Sequence, residues 1–124
     1  MYVSSNGGIA NYSANNANLS DERLKEHITP VGSMWDAIKG IEVVDYCYKD
    51  QCDDVPNLGA IAQQVESVAP RFVDNSGFGE APEGEEPYKA IYETDLKYGV
   101  LKALQEAMER IEALEAEIAA LKSA

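Results

Sequence analysis

The last quarter of the chain repeats its apolar residues with a helical period. From Thr94 to the C-terminus there is no proline, and Gly99 is the one glycine. The pattern predicts a single helix of about 30 residues, roughly 45 Å long. In the heptad frame that fits best, the a and d positions are Val100, Leu104, Ala107, Ile111, Leu114, Ile118 and Leu121.

Charged residues beside this apolar stripe favour parallel assembly of several chains. In a parallel coiled coil, a residue at g faces the residue at e five positions later in the neighbouring chain. Arg110 would then meet Glu115, and Glu117 would meet Lys122, so both pairs have opposite charges. We therefore expect self-association rather than one amphipathic helix that packs on its own domain.

The heptads leave the number of chains open. Isoleucine at a with leucine at d favours dimers, whereas Leu101 and Met108 at e widen the apolar face and favour a larger bundle. Two and three chains are both compatible with the sequence pattern. The residues expected to carry oligomerisation are Leu104, Ile111, Leu114, Ile118 and Leu121.

Residues 20–93 change to the pattern of short helices and strands. Ser33 can cap a short helix that ends at Gly40. Residues 41–50 are rich in β-branched and aromatic side chains, which predicts a strand. Together with the C-terminal helix these elements predict an α+β fold, in which a small mixed body precedes one long helix.

Further elements follow between residue 51 and the long helix. Leu58–Ala69 predicts a helix that Pro70 terminates, and residues 71–73 predict a short strand. Residues 74–87 combine glycine, proline and acidic side chains, which indicates an exposed loop. If the strand expected at Tyr88–Tyr92 shares a sheet with the strand before this loop, the two form an antiparallel hairpin.

Residues 1–19 differ from the rest because serine, asparagine, glycine and alanine dominate them. Such a segment has too few large apolar side chains to fill a core. It is either a disordered leader or the frayed end of a larger repetitive β-structure. It lacks the basic and apolar regions of a signal peptide, so we expect none in it. We therefore divide the chain into a leader at 1–19, a body at 20–93 and a coiled-coil helix at 94–124.

Composition excludes several classes of function. The net charge is −12 and the pI is about 4.3, so the chain should repel nucleic acids and anionic membrane surfaces. No apolar run approaches the roughly 20 residues of a membrane helix. Cys47 and Cys52 fit no common zinc spacing, and His27 is the one histidine. We expect two reduced thiols, with a local disulfide as the alternative, and no metal or cofactor.

The charged segment 20–30 holds the remaining candidate for catalysis. Ser20 is a good helix N-cap, with Asp21 and Glu22 in the first turn. A lysine amine can activate a serine hydroxyl, and Lys25 follows Ser20 by five residues. On an ideal helix this spacing is a rotation of about 140°, so the pair could meet only across a turn or between subunits. Spacing alone favours a cap and a surface charge.

A sequence resemblance changes that interpretation. The string SDERLKEHI at residues 20–28 resembles the start of the intramolecular chaperone domains of phage endosialidases, tail spikes and tail fibres, the S74 peptidase family. That opening is similar to Ser-Asp-x-Arg-Leu-Lys, a polar pair and isoleucine. Residues 40–46 resemble the first strand of the family, and residues 59–66 resemble its helix, which Pro70 follows. A Tyr-x-x-Leu entry into the last helix is matched loosely, one residue longer, at 92–96.

The resemblance implies a mechanism and gives residues their roles. Such domains trimerise, guide the preceding fibre into register and are released by a single self-cleavage, here at the Leu19–Ser20 bond. Ser20 would be the nucleophile and Lys25 its general base. Asp21 and Arg23 would set the geometry of the site, and no cofactor is implied. His27 stands where other members often carry asparagine, so it is given no catalytic role.

The resemblance also implies partners and a location. The expected assembly is a homotrimer with a parallel trimeric coiled coil, acting on the upstream fibre of the same chain. Folding would take place in the cytoplasm of the bacterial host, after which the fibre joins the virion tail without the chaperone. The five-residue spacing of the pair suggests that the active geometry forms only on assembly. Alternatives are a non-catalytic trimerisation module and the related self-cleaving domain of a membrane-bound transcription regulator of animals.

Overall fold

The computed structural model describes residues 2–3, 9–10, 12–13, 15–51, 53–77 and 79–124, which form two compact units. The first unit comprises Met1–Val31 and Cys47–Val55. The second comprises Gly32–Tyr46 and Pro56–Ala124. Small two-stranded sheets and a long C-terminal helix make up the α+β arrangement that the sequence pattern predicts.

The described part of the first unit contains one short strand pair and one turn of 3-10 helix. Strands β1 (Tyr2–Val3) and β2 (Ile9–Ala10) form an antiparallel pair in which Val3 is opposite Ile9. A single 3-10 turn spans Glu22–Leu24. In the loop that begins at Cys47, the side chain of Gln51 organises the backbone by donating to the carbonyl oxygens of Asp53 at 3.1 Å and Val55 at 2.8 Å.

The second unit contains the remaining helices and strands. Their bounds are α1 Trp35–Gly40, β3 Val44–Tyr46, β4 Asn57–Gly59, α2 Ala62–Val68, a 3-10 turn Pro70–Phe72, β5 Val73–Asp74, β6 Ala90–Ile91 and α3 Glu93–Ser123. Strand β3 pairs antiparallel with β4, and β5 pairs antiparallel with β6. The second pair is the predicted antiparallel hairpin, but the strand predicted at residues 71–73 was wrong at its start, because Pro70–Phe72 form a 3-10 turn and the strand begins at Val73. The strand expected at Tyr88–Tyr92 is limited to Ala90–Ile91.

The prediction of a helix over Leu58–Ala69 was wrong at its start. Asn57–Gly59 is strand β4, and helix α2 begins only at Ala62. Pairing with β3 decides the conformation, because Gly59 lies opposite Val44 and the ring of Tyr46 packs where a Cβ of residue 59 would lie, 3.0 Å away. A tertiary contact here overrides the helical pattern of the apolar residues.

The strand predicted at residues 41–50 is shorter than expected, since β3 covers only Val44–Tyr46. Asn57–Gly59 supplies three paired positions, and this limits the length of the ladder. The short helix before it is confirmed at Trp35–Gly40, with Met34 as the N-cap by backbone conformation. Ser33 still contributes, because its Oγ accepts a hydrogen bond from the Trp35 N–H at 3.2 Å.

The core of the second unit is small and lies where α1, α2, the 3-10 turn and α3 meet. Its buried residues are Met34, Val65, Ala69, Phe72 and Val73. Val65 and Phe72 are almost completely buried. Gly99 of α3 packs on the ring of Phe72 so closely that a Cβ would lie 2.5 Å from a ring carbon. The close approach of the long helix to the core therefore depends on a glycine.

A partly buried ion pair closes the hairpin against α2. Lys89, just before β6, contacts the Glu66 carboxylate of α2 at 3.1 Å and donates to Asn75 Oδ1 at 2.7 Å. The hydrogen bonds from Asn75 and Lys89 hold the pKa of Glu66 below its ordinary value. These contacts attach the start and the end of the loop 74–87 to the body.

Candidate active site

The structure brings Ser20 and Lys25 together within one chain. Lys25 Nζ donates a hydrogen bond to Ser20 Oγ at 2.5 Å. The 3-10 turn Glu22–Leu24 lies between them and folds the chain back on itself. Its backbone hydrogen bonds run from Leu24 N to the Asp21 carbonyl at 3.0 Å and from Lys25 N to the Glu22 carbonyl at 3.1 Å. This is one of the two arrangements that the sequence allows, contact across a turn.

Asp21 is the residue that caps this turn. Its carboxylate accepts a hydrogen bond from the Arg23 backbone N–H at 2.8 Å. The prediction of Ser20 as the N-cap was therefore wrong by one residue. The cap on Asp21 leaves the Ser20 hydroxyl available for Lys25. An aspartate that bonds the N–H two residues later is a common turn motif.

Arg23 holds the Asp21 carboxylate from a second direction. Its guanidinium donates from Nε to Oδ1 at 3.1 Å and from Nη2 to Oδ2 at 2.8 Å. The side-chain bonds and, after them, the backbone bond lower the pKa of Asp21. The side-chain bonds to Asp21 also raise the pKa of Arg23. The planar fork of arginine fits a carboxylate bidentately. The Asp21–Arg23 pair fixes the shape of the turn. It makes no hydrogen bond with the side chain of Ser20 or Lys25.

The site is open to solvent. Ser20, Asp21, Arg23 and Lys25 are all exposed, and the side chain of Leu19 is 84% exposed. The amine and hydroxyl are therefore in contact but hydrated. Such a pair has the geometry of a nucleophile and its base, without the water exclusion that strengthens electrostatic interactions in enzyme sites.

His27 has the one positive φ angle among the described residues other than glycine, at 55°. Asparagine tolerates this left-handed conformation better than most residues. The resemblance places asparagine at this position in other family members, and the backbone gives a conformational reason for that preference. The imidazole is exposed and lies 3.9 Å from Glu26.

The other predicted residues are distributed differently. Leu104, Ile111, Leu114, Ile118 and Leu121 lie on one exposed face of α3. Cys47 is a free, exposed thiol whose Sγ lies 3.7 Å from the Val55 carbonyl oxygen, and Cys52 lies outside the described residues. Among the residues that the structure describes, no three His, Cys, Asp or Glu side chains are grouped to hold a metal ion. No helix in the described part of the chain could span a membrane.

Sequence reasoning missed the contacts between α1 and α3. The Glu106 carboxylate accepts from the Met34 N–H at 2.8 Å and from the Ser33 hydroxyl at 2.8 Å. The Arg110 guanidinium lies 3.6 Å from the centre of the Trp35 ring. Glu106 and Arg110 are four residues apart, so they share a helix face. That spacing was visible in the sequence, but the partners more than 70 residues away were not.

Comparison with known proteins agrees with the location of this site. Residues 20–74 match the model of the Peptidase_S74 family, described as chaperone of endosialidase. The match begins at Ser20, the first residue of the site, and ends in strand β5. No curated protein matches the chain.

The family match confirms the resemblance that the sequence indicated. It supports a function of the intramolecular chaperone kind, and the family name supports self-cleaving peptidase activity at the level of the family. Residues 20–74 of this chain are therefore similar to the endosialidase chaperones of the Peptidase_S74 family.

Proposed function

We propose that this protein is an intramolecular chaperone that trimerises, directs the folding of a phage tail fibre or spike, and is then released by cutting itself at the Leu19–Ser20 bond. One observation carries the catalytic part of this proposal. It is the hydrogen bond between Lys25 Nζ and Ser20 Oγ, made at the residue where the family match begins.

The proposed reaction needs no bound substrate, because the nucleophile is adjacent to the bond that it attacks. Neutral Lys25 takes the hydroxyl proton as Ser20 Oγ bonds to the carbonyl carbon of Leu19. The carbon–nitrogen bond then breaks, and the Ser20 nitrogen takes the proton back from the lysine. The product is an ester between Leu19 and Ser20. Attack within the chain gives the hydroxyl a high effective concentration.

Water completes the reaction by hydrolysing the ester. One water molecule is consumed, and the products are a carboxylate on Leu19 and a new N-terminal amine on Ser20, whose hydroxyl is regenerated. The net reaction is hydrolysis of one peptide bond. Each chain is cut once, so the process is a single turnover.

Asp21 and Arg23 act as positioning residues in this proposal. The Asp21 carboxylate caps the turn that carries Lys25 back towards Ser20. Arg23 fixes that carboxylate through two side-chain hydrogen bonds. Neither residue contacts the hydroxyl in this arrangement, which supports a role in geometry rather than in proton transfer.

The exposure of the pair accounts for the timing of cleavage. A lysine serves as a base only in its neutral form, and burial favours that form. Ser20 and Lys25 are both exposed in the single chain. We propose that the folded and assembled fibre supplies the missing water exclusion. The spacing of the two residues suggested that their contact forms only on assembly. Because the contact already exists within one chain, we propose instead that assembly activates the pair.

Helix α3 supports the assembly part of the proposal. It has 31 residues and is therefore about 46 Å long. Its a and d side chains at Leu104, Ile111, Leu114, Ile118 and Leu121 are between 52% and 76% exposed in the single chain. An apolar stripe of this length stays in water unless other copies cover it. The proposed partners are two further copies and the upstream fibre, in the cytoplasm of a bacterial host during virion assembly.

The intact mass of the chain, expressed with its natural upstream fibre, tests the catalytic proposal. Wild type should give a new species that begins at Ser20, and Ser20→Ala and Lys25→Ala should each remain uncut. Lys39→Ala is the matched control, because it removes a lysine from α1 in the other unit. It should be cut like the wild type.

The result also separates the proposal from its main competitor, a trimerisation module without catalysis. The solvent exposure of both Ser20 and Lys25 is the observation that favours the competitor. A wild-type fibre that stays uncut while forming trimers would support the module and contradict the roles of the pair. Cleavage of Lys25→Ala at the wild-type rate would contradict the role of the lysine alone.

A further inference from the structure

The first half of α3 packs on its own body through one flank of the helix. Leu96, Gly99 and Ala103 are at least partly buried against the core. Glu106 and Arg110 continue the same flank and contact the N-terminal end of α1. In the heptad frame these five residues occupy positions c and g. The core of the second unit therefore lies on the g side of the coiled-coil helix in each chain.

The opposite flank of this half-helix is apolar and exposed. Leu101 and Met108 occupy e positions and are 45% and 51% exposed. In coiled coils the e positions usually carry charged residues, because they lie at the edge of the seam. The last two e positions, Glu115 and Lys122, follow that rule. The first two need another apolar surface.

The register of a parallel coiled coil supplies that surface. A residue at g faces the residue at e five positions later in the neighbouring chain. Leu96 would thus face the neighbouring chain's Leu101, and Ala103 the neighbouring chain's Met108. Both pairs are apolar. The next two pairs along the helix, from Arg110 to Glu115 and from Glu117 to Lys122, are oppositely charged.

The change from apolar to charged pairs coincides with the end of the body. Every residue of α3 from Glu109 onwards is exposed in the single chain, whereas buried or half-buried residues occur from Leu96 to Ala107. The apolar pairs therefore lie beside the core of the second unit, and the charged pairs lie beyond that core. Trp35 marks this boundary, because its half-buried ring stacks on Arg110.

We propose that Leu101 and Met108 of each copy dock on the body of the neighbouring copy, on the side where Ala103 and Trp35 lie. The occupant of this surface is a second copy of this chain. The proposal rests on the parallel self-association in the proposed function and adds a second contact surface outside the seam. Through this contact the coiled coil holds the bodies as well as the helices in register.

The single tryptophan makes the docking measurable. Association constants from sedimentation equilibrium and Trp35 emission should be recorded over a concentration series. In wild type the emission should shift to shorter wavelength as the chains associate. Met108→Lys should weaken association about tenfold or more and abolish the shift. Leu101→Lys should weaken association in the same direction.

Two further variants separate this contact from the seam. Ala116→Lys introduces the same charge at an exposed f position and should leave association unchanged. Leu114→Lys introduces it at d and should abolish association. Met108 is half exposed in the single chain, so its substitution should leave the circular dichroism of the dilute protein unaltered.

Each outcome decides between the claims. If Met108→Lys and Leu101→Lys associate as strongly as wild type and show the same shift of Trp35 emission, the docking is wrong. The coiled coil would not be affected by that result. A wild-type chain that stays monomeric at all concentrations would contradict both the docking and the proposed trimer. An emission shift that occurs only when the upstream fibre is present would assign the surface to the fibre instead.

Discussion

The Ser20–Lys25 site and helix α3 differ in what a single chain provides. The contact at the site is complete within six consecutive residues, where one capped turn sets the geometry. On the g flank of helix α3 the core of the second unit covers the side chains, whereas the apolar stripe of the helix is exposed in the single chain. The contact between Ser20 and Lys25 therefore forms within one chain, whereas burial of the apolar stripe requires other chains.

In the proposed function, this difference gives each region its own task. Apolar burial drives association, and it requires copies whose stripes are aligned. The hydrogen-bonded pair cannot drive association, since its groups are satisfied within the chain and exposed to water. Under the proposed function, the Ser20–Lys25 pair is preformed but inactive until assembly changes its surroundings.

Removing the cap of the turn is the largest expected perturbation of this comparison. Asp21→Ala deletes the acceptor for the Arg23 N–H and guanidinium. The distance between Ser20 Oγ and Lys25 Nζ should become variable, and small misplacements of reacting groups can cost about a hundredfold in rate. We expect cleavage of the full fibre to slow by about ten- to a hundredfold. Intact mass recorded over time measures this rate.

The conservative variant keeps this prediction specific to geometry. Asp21→Asn retains an oxygen that can cap the turn but loses the charge that holds Arg23, so its rate should lie between Asp21→Ala and wild type. Trimer formation should be the same in all three proteins. Equal cleavage rates in all three would contradict a positioning role for Asp21.

A larger side chain at residue 99 tests the packing of the g flank of α3 on the core. A side chain there would meet the buried Phe72 ring, with Cβ only 2.5 Å from a ring carbon. Overpacking of a buried contact costs about 1–3 kcal/mol, and Gly99→Val should lower the free energy of unfolding by this amount. Chemical denaturation of the body measures it.

Gly32→Val is the matched control, because a Cβ at residue 32 has no neighbouring atom within 4 Å. Its effect should be small. Equal destabilisation by the two valines would show that the close packing of α3 on Phe72 is not what stabilises this flank.

The smallest expected effect is a pH-dependent one at the junction of α1 and α3. The hydrogen bond from the Met34 N–H, and then that from the Ser33 hydroxyl, lower the pKa of Glu106 from its ordinary value of 4.5. A lowered pKa in the folded state stabilises the protein above the ordinary value. That stabilisation is lost as the pH falls through the folded-state pKa.

Glu106→Gln isolates this contribution, because glutamine does not titrate. At pH 7 the variant should have a lower free energy of unfolding than wild type. This decrease should be smaller than the decrease caused by Gly99→Val. The difference between wild type and variant should shrink as the pH falls below 4.5. Thermal unfolding at several pH values measures it, and a difference that stays constant with pH would contradict the assigned cause.

The sequence was most informative for elements whose conformation depends on a local pattern. The heptad repeat predicted the start of α3 at Thr94, and the helix begins at Glu93. Glycine and proline at the ends of α1 and α2 were also correctly interpreted, because Gly40 ends one helix and Pro70 follows the other. These signals are local, so no distant partner could override them.

Sequence reasoning failed where two distant segments decide the outcome. Leu58 and Gly59 continue a helical apolar pattern, yet pairing with β3 makes them a strand. The spacing of Ser20 and Lys25 restricted their contact to two cases, across a turn or between subunits. The cap at Asp21 determines that the contact is made across a turn. The cap has a recognisable motif, an aspartate before a turn, whereas the strand pairing has none.

The dependence of cleavage on assembly decides whether trimer formation activates a preformed Ser20–Lys25 pair. The rate should be measured for the full fibre over a range of concentrations, in wild type and in Leu114→Lys, while the fraction of trimer is recorded in parallel. Cleavage should rise with the fraction of trimer, and the monomeric variant should stay uncut although its Ser20–Lys25 site is unaltered. Cleavage of the monomeric variant at the wild-type rate would contradict the claim that assembly activates a preformed pair.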